Sequence, residues 1–320
     1  REKNGHISAA SNSALELATG RWVALLDHDD VLHPASLFCL ADRITSEPAL
    51  KFIYTDEDKI DENGVRFQPH FKPDLNRVLL RGQNYINHFV AIERLRLEKS
   101  GRFRPGFDGA QDYDLFLRCV EKLVPEQIAH IPLPLYSWRT AQGSTATGAG
   151  AKTYAEKAGI RAVQDHLLRI GVAADVLPGV VPTTYRVKYK LPLESPMVSV
   201  VIPTRDGASH LQKCLDSISA RTTYPNYEIV IVDNGSIEKK TLDFLRTLNQ
   251  EPKVSVLRFP GEFNYSAINN AGAEVAQGSI ICLLNDDTEV ITDGWLGEMV
   301  GQLLQPEIGV VGAKLLYPDQ

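Results

Sequence analysis

The sequence predicts an α/β fold in two tandem units, and two observations carry that prediction. In the C-terminal half, apolar runs of strand length alternate with helical stretches, the pattern of a parallel sheet that binds ligands at the carboxyl ends of its strands. In addition, one helix–strand–acid element occurs twice. Set 258 positions apart, Ser8-Ala9 falls on Ser266-Ala267, Asn12 on Asn270, Gly20 on Gly278, Leu25-Leu26 on Leu283-Leu284 and Asp29 on Asp287. Such a spacing is too long for a solenoid repeat and fits two related domains. A length of 320 residues agrees, at roughly 150 residues per domain. The boundaries fall at 1–183 and 197–320, with a proline-bearing linker at 184–196.

The elements follow in order. Each copy of the repeat reads as an Ala-rich helix, a glycine stop (Gly20 or Gly278), an apolar strand and then acids. After the first copy come a helix at Pro34–Ser46, a strand at Phe52–Tyr54 and a hairpin turning at Asn63-Gly64. A strand near Tyr85–Val90, a helix from Asp112 to Lys122, a run at Leu135–Arg139 and a helix near Lys152–Ile170 complete the first unit. The second opens on the buried-strand pattern Met197–Pro203. A helix at Ala208–Ala220 and strands at Tyr227–Val232 and Val254–Phe259 lead into the second copy.

Composition excludes several classes. Hydrophobic residues make up 43% and charged residues 23%, a soluble globular balance. The net charge of −6 argues against a general nucleic-acid binder. No apolar run approaches the ~20 residues of a membrane span, and no signal peptide is evident. Cys39, Cys119, Cys214 and Cys282 stand singly, which fits a reducing cytosol rather than a zinc cluster or a disulfide scaffold. Opening on Arg1 and stopping on Asp319-Gln320, the chain reads as a piece of something longer.

Carboxylates gather at strand ends. Asp27-His28-Asp29-Asp30 follows the first apolar strand, and Asn285-Asp286-Asp287 follows its repeat. Acids there can point together into a crevice and suit a hard divalent ion on a diphosphate. A lone Asp-x-Asp is more often a loop cap; recurrence at the same place in both copies favours a metal. Asp112, opening a helix, is either a first-turn acid favoured by the helix dipole or a general base beside an acceptor hydroxyl. On local sequence the capping role is the plainer one. Asp233 either contacts a nucleobase or ribose, or shapes the Asn234-Gly235 turn. His6, His70, His88 and His130 show no metal-ligand spacing and read as packing or surface residues; Trp138 reads as core. Lys72 and Arg139 are candidates for diphosphate contacts, with solvated charge as the default.

Taken together these strings resemble family 2 glycosyltransferases of the GT-A fold, of the large bacterial kind that assembles O-antigen and capsular polysaccharide. The pieces are Leu26 to Asp30, Tyr54 to Asp58, Phe71-Lys72-Pro73, Asn84-Tyr85-Ile86, Asp108 to Arg118, Tyr136 to Arg139 and Gly143 to Ala146. In the second unit they are Val198 to Pro203, Val232 to Ser236, Phe263 to Ser266 and Leu284 to Thr288. The resemblance implies a Rossmann-like, mixed and mostly parallel sheet in two tandem, incomplete units. It also implies an inverting transfer of a sugar from a nucleotide-diphosphate donor to a glycan or lipid-linked glycan, with no nucleic-acid partner. On this reading Asp29 and Asp287 hold Mg²⁺ or Mn²⁺ and Asp27 lies near the donor's ribose and sugar. Asp233, with Pro203 and Asp286, lines the nucleotide site; Lys72 and Arg139 contact the diphosphate; Asp112 deprotonates the acceptor. The enzyme is expected in the cytoplasm, with peripheral docking at the inner membrane face through regions outside this sequence.

The chain departs from that pattern in places. Ser137 stands where the family often has a metal-binding histidine, Asn285 replaces the first acid of the second Asp-x-Asp, and Gln111 replaces a common Glu. The first unit lacks the strand and loop that would bind its nucleotide base; the second ends before any acceptor floor. Neither unit is then expected to be a complete enzyme in this chain. A permuted single domain, with the front of unit two on the back of unit one, is disfavoured, because the duplicated helix–strand–acid element would be redundant in it. A nonenzymatic nucleotide- or sugar-binding scaffold is the alternative. A dinucleotide oxidoreductase is disfavoured, because Pro203-Thr204-Arg205-Asp206-Gly207 replaces the glycine fingerprint after the strand.

Overall fold

A computed structural model describes residues 4–140 and 149–317. The chain divides into two units, Arg1–Lys188 and Tyr189–Gln320. The Gly143–Ala146 string lies outside the described residues.

The first unit runs α1 (His6–Leu17), β1 (Trp22–Leu25), β2 (Val31–Leu32), α2 (Ser36–Ser46), β3 (Phe52–Ile60), β4 (Arg66–His70), α3 (Arg77–Gly82) and β5 (Val90–Glu93). It continues with α4 (Arg94–Lys99), α5 (Gln111–Val120), β6 (Ile128–Arg139), α6 (Ala149–Arg169), β7 (Ala174–Pro178) and β8 (Tyr185–Tyr189). Its main sheet has the order β1-β5-β3-β6-β2, with β4 on β3. Only β3 and β6 run parallel; the other pairs are antiparallel. The expected mixed sheet thus has, in this unit, its parallel pair at the centre. β8 pairs with β7, so the anticipated linker at 184–196 begins as a strand.

β3 is the spine of this sheet. Phe52, Ile53 and Tyr54 are buried, as their β-propensity suggests, but the strand then continues through Thr55-Asp56-Glu57-Asp58, also buried. Acids are depleted in strands, and propensity alone would stop the element at Tyr54. Partners override it: Asp56 meets His130 at 2.8 Å, Glu57 meets Lys72 and Asp58 meets Arg66 at 2.6 Å. The Asn63-Gly64 turn forms as expected, with Gly64 left-handed at φ 81°.

The second unit runs β9 (Val198–Thr204), α7 (Ala208–Arg221), β10 (Tyr227–Asp233), α8 (Lys239–Leu248), β11 (Val254–Arg258), α9 (Tyr265–Val275), β12 (Ile280–Leu283) and α10 (Trp295–Leu303). Its sheet, β11-β10-β9-β12, is parallel throughout. Alternate residues of β9 feed opposite faces: Val198, Val200 and Ile202 pack with α7 and α10, and Val201 packs with Ile268 of α9. This is the two-sided burial of a parallel sheet.

The repeat is structural. β1 and β12 fall on the same 258-residue offset, and α1 and α9 nearly so. The two glycine stops are corrected in one respect: neither Gly20 nor Gly278 is left-handed, and both helices end in extended residues, Ala18 and Ala276. At Gly278 the cause is close approach, because a Cβ would stand 2.7 Å from the Met197 carbonyl oxygen. Gly272 is tighter still, at 2.4 Å from a Val201 methyl and 2.8 Å from a Val232 methyl. Gly272→Ala is expected to destabilise the second unit by about 1–3 kcal/mol through overpacking. A lowered urea midpoint with unchanged slope would show it.

Candidate active site

In the first unit the acid loop, the β5 approach and α5 meet at one place. After β1 the chain turns so that the Asp30 N–H reaches the Asp27 carbonyl at 3.3 Å. Residues three apart on such a turn share a side, and the carboxylates of Asp27 and Asp30 converge with the His88 imidazole. One ligand atom from each lies within 4.8 Å of the others. Asp29, expected as the metal ligand, is left out. Its carboxylate lies 3.6 Å from His28 Nδ1, and both side chains are well exposed.

β6 fixes this loop from beneath. The Tyr136 hydroxyl donates to Asp30 Oδ2, and the Arg139 N–H donates to Asp30 Oδ1 at 2.8 Å. Arg139 Nε also donates to the Asp29 carbonyl at 2.8 Å, so its guanidinium stands beside the acid loop. Burial pushes the Asp30 pKa up, against the pull of the Tyr136 and Arg139 hydrogen bonds. Burial, followed by the neighbouring Asp30 carboxylate, also raises the Tyr136 phenol, which stays a hydrogen-bond donor.

His88 is the site residue that sequence reasoning missed, since it sits in no spacing pattern and is placed only by the sheet. Its ring stacks on Tyr136 with centroids 4.7 Å apart and meets the edge of Trp138 at 6.0 Å. Its Nε2 lies 4.0 Å from Asp27 Oδ2. Ser137 donates to Asp58 at 2.6 Å inside the sheet.

Lys72 requires a correction. Its side chain is 0% exposed, and its ammonium donates to the Ile86 carbonyl at 2.6 Å and to the His88 carbonyl, beside Glu57 at 3.4 Å. Buried and so engaged, it does not reach a diphosphate. Burial pulls its pKa down to about 8, partly opposed by Glu57. Burial pushes Glu57 up, but His70, Lys72 and His88 together bring it below the ordinary range.

Asp112 opens α5 without capping it: Ala110 holds the cap position, and Asp112 lies in the first turn. Its Oδ2 accepts from Asn84 at 3.1 Å and its Oδ1 from the Tyr113 N–H at 2.8 Å. Burial raises its pKa, with His88 pulling the other way. Asp27, His88 and Asp112 all line one cavity of about 340 Å³, whose inner wall is apolar, with Leu25, Phe103 and Phe116. A carboxylate with a raised pKa, in a cleft beside a second acid and an imidazole, is the profile of a functional group rather than a surface acid.

In the second unit the acids stand at the carboxyl ends of a parallel sheet. Asp286 accepts from Thr204 at 2.6 Å, next to half-buried Pro203, and Asp287 is exposed. Asp233 is buried: Oδ1 accepts from the Ser236 N–H and Oδ2 from Arg258, both at 2.8 Å. Of its two readings, the turn-shaping one matches these contacts. All four cysteines are unpaired.

The profile of glycosyl transferase family 2 matches residues 1–99 and 199–320, and the chain belongs to that family. Its mixed α/β architecture is of the GT-A class that the family adopts. It is 49% identical over its full length to the uncharacterized protein y4gI of Sinorhizobium fredii, of which it covers 35%. Over 98% of its length it is 40% identical to the O-antigen biosynthesis protein RfbC of Myxococcus xanthus, covering 24% of that protein. The chain therefore spans about a third or less of these relatives. Mannosyltransferase PcManGT from Pyrobaculum calidifontis in complex with GDP-Man and Mn2+ overlays on 37% of this chain and 35% of its own, at 24% identity and a TM-score of 0.34. Among the described residues no helix is long and apolar enough to cross a membrane.

Proposed function

We propose that this chain carries parts of two inverting glycosyltransferase units that build a bacterial surface glycan. Residues 1–183 carry the metal-and-base half of one unit, and residues 197–320 carry the nucleotide half of another. The observation that carries the reading is the grouping of Asp27 and Asp30 with His88, two members of which, Asp27 and His88, line one cleft with Asp112.

Two carboxylates and an imidazole form a donor set that suits Mn²⁺ or, less well, Mg²⁺. When bound, such an ion neutralises charge on the leaving diphosphate. The protein groups do the rest. Asp112, as carboxylate, takes the proton of the acceptor hydroxyl as that oxygen bonds to the anomeric carbon. The bond from that carbon to the diphosphate oxygen breaks on the opposite face, and its electron pair leaves with the nucleoside diphosphate. Asn84 holds the Asp112 carboxylate in place, and Arg139 adds positive charge beside the acid loop.

The internal repeat supports the assignment of halves. Arg94 N–H bonds the Arg21 carbonyl, so residues 21, 23 and 25 face β5, and 22 and 24 face the open edge of β1. Their counterparts on β12 face β9, because the Ile280 and Leu284 N–H groups bond to that strand. Among the described residues, β1 has no parallel neighbour of the β9 kind.

The reading is tested by thermal shift with UDP, dTDP and GDP, each with Mn²⁺, Mg²⁺ or EDTA. One nucleotide is expected to raise the Tm in a metal-dependent way, by about 2.7 kcal/mol of stabilisation at ~100 times its Kd. EDTA is expected to abolish the shift. No shift with any nucleotide in the full-length protein, with metal present, would contradict it.

A further inference from the structure

We infer that Lys72 and Glu57 are positioning residues that set His88 against the acid pair; this rests on the reading of Asp27, Asp30 and His88 as a metal site. Four observations converge on it. The Glu57 Oε2 accepts the His88 N–H at 3.0 Å, and the Lys72 ammonium donates to the His88 carbonyl. Both backbone polar groups of His88 are therefore held by one buried ion pair. The same ammonium holds the Ile86 carbonyl at 2.6 Å, so the bend carrying Asn87 is gripped on both sides. Asn87 itself is left-handed, at φ 39°, a conformation that asparagine tolerates better than most residues but that still needs outside support. Finally, the Lys72 N–H donates to Asp56 Oδ1 at 2.9 Å, and that carboxylate is fixed by His130, which ties the device to β3 and β6.

A surface lysine would keep its ammonium in water. Burying one carries a desolvation penalty, and here its compensation lies in Glu57 and in the carbonyls of Ile86 and His88. The stack on Tyr136 then fixes the ring plane. Tyr136 also donates to Asp30, so ring and carboxylate are registered by the same side chain. Partners that orient a metal-binding imidazole without touching the metal are worth tenfold to a hundredfold in affinity.

Removing the lysine alone would strand a buried carboxylate, so the informative variant is Lys72→Met/Glu57→Leu, which replaces the pair by apolar side chains of similar bulk. Three readouts decide the matter. In the wild-type protein the His88 amide is expected to exchange slowly with solvent; exchange at the free-loop rate would overturn the inference without any variant. In the folded double variant, the ¹⁵N and ¹H signals of the His88 imidazole are expected to shift in metal-free buffer. Its Mn²⁺ affinity, followed by water-proton relaxation, is expected to fall by about tenfold or more. Unchanged ring signals and unchanged affinity would overturn the inference. A wild-type protein that takes up no Mn²⁺ would sink the metal-site reading instead, and the ring signals would still decide whether Lys72 and Glu57 position His88.

Discussion

Asp112→Asn is expected to lower the turnover of sugar transfer by about 10²–10⁴-fold, the range lost with a general base, in a protein that stays folded. The carboxamide keeps an oxygen for the Tyr113 N–H, loses the proton acceptor, and places an NH₂ opposite the Asn84 amide, whose flip restores that hydrogen bond. Its effect on stability should have the opposite sign. Burial raises the pKa of Asp112, so ionising this group is harder in the folded chain than in the unfolded one. The unfolded state then releases its proton first, and Asp112 lowers stability as pH rises from the ordinary carboxylate range through the raised folded pKa. Below that window the wild type and Asp112→Asn should melt alike; above it the variant should melt at the same or a higher temperature. Transfer should fail on the acid side at a higher pH than an ordinary carboxylate would set. Loss of transfer accompanied by a lower Tm at neutral pH would mean that Asp112 is structural.

Asp114→Ala, two residues further along the same helix, should do the reverse. Asp112 and Asp114 lie about 200° apart around the helix axis, so one faces the cleft and the other the interior. Asp114 is 0% exposed and accepts from both Arg104 and Arg118. Arg118, itself buried, also donates to the carbonyls of Ser100 and Arg102. Truncating the acid removes the counter-charge of buried Arg118, while Arg104 keeps Asp165 at 2.9 Å; the expected loss is about 3–5 kcal/mol, that of a broken buried pair. Chemical denaturation should show that loss, while any folded fraction retains normal turnover per folded molecule. A change below about 1 kcal/mol, the value of a surface pair, would contradict this account of α5.

This pair also shows what could be read from the chain and what could not. Gln111-Asp112-Tyr113-Asp114 announces an acidic helix start, and the string as a whole resembles the family's base motif. Which acid faces which way is then a matter of helical phase. The second unit was readable almost element by element, because both faces of a parallel sheet are buried and its strands are plain apolar runs. In the first unit, β3 and β6 were read only in part. Their continuation through Asp56, Glu57 and Asp58 depends on Lys72, His130 and Arg66, partners that the tertiary fold brings in. The same cause hid His88, whose neighbours Asp27 and Tyr136 are 61 and 48 positions away. It also misassigned Lys72, since a basic residue in a Phe-Lys-Pro string carries no sign that it points inward. That Asp30 rather than Asp29 stands with Asp27 and His88 follows from the turn after β1 and from the Tyr136 and Arg139 contacts, which no spacing rule contains.

The central claim is that Asp27, Asp30 and His88 make a divalent-metal site beside the Asp112 base. Titration calorimetry of Mn²⁺ into the wild-type chain and into Asp27→Asn tests it most directly, with Asp29→Asn as the control. The account predicts one saturable site in the first unit that is lost or weakened at least tenfold in Asp27→Asn and retained in Asp29→Asn. Equal binding by all three proteins, or loss in Asp29→Asn alone, would contradict it.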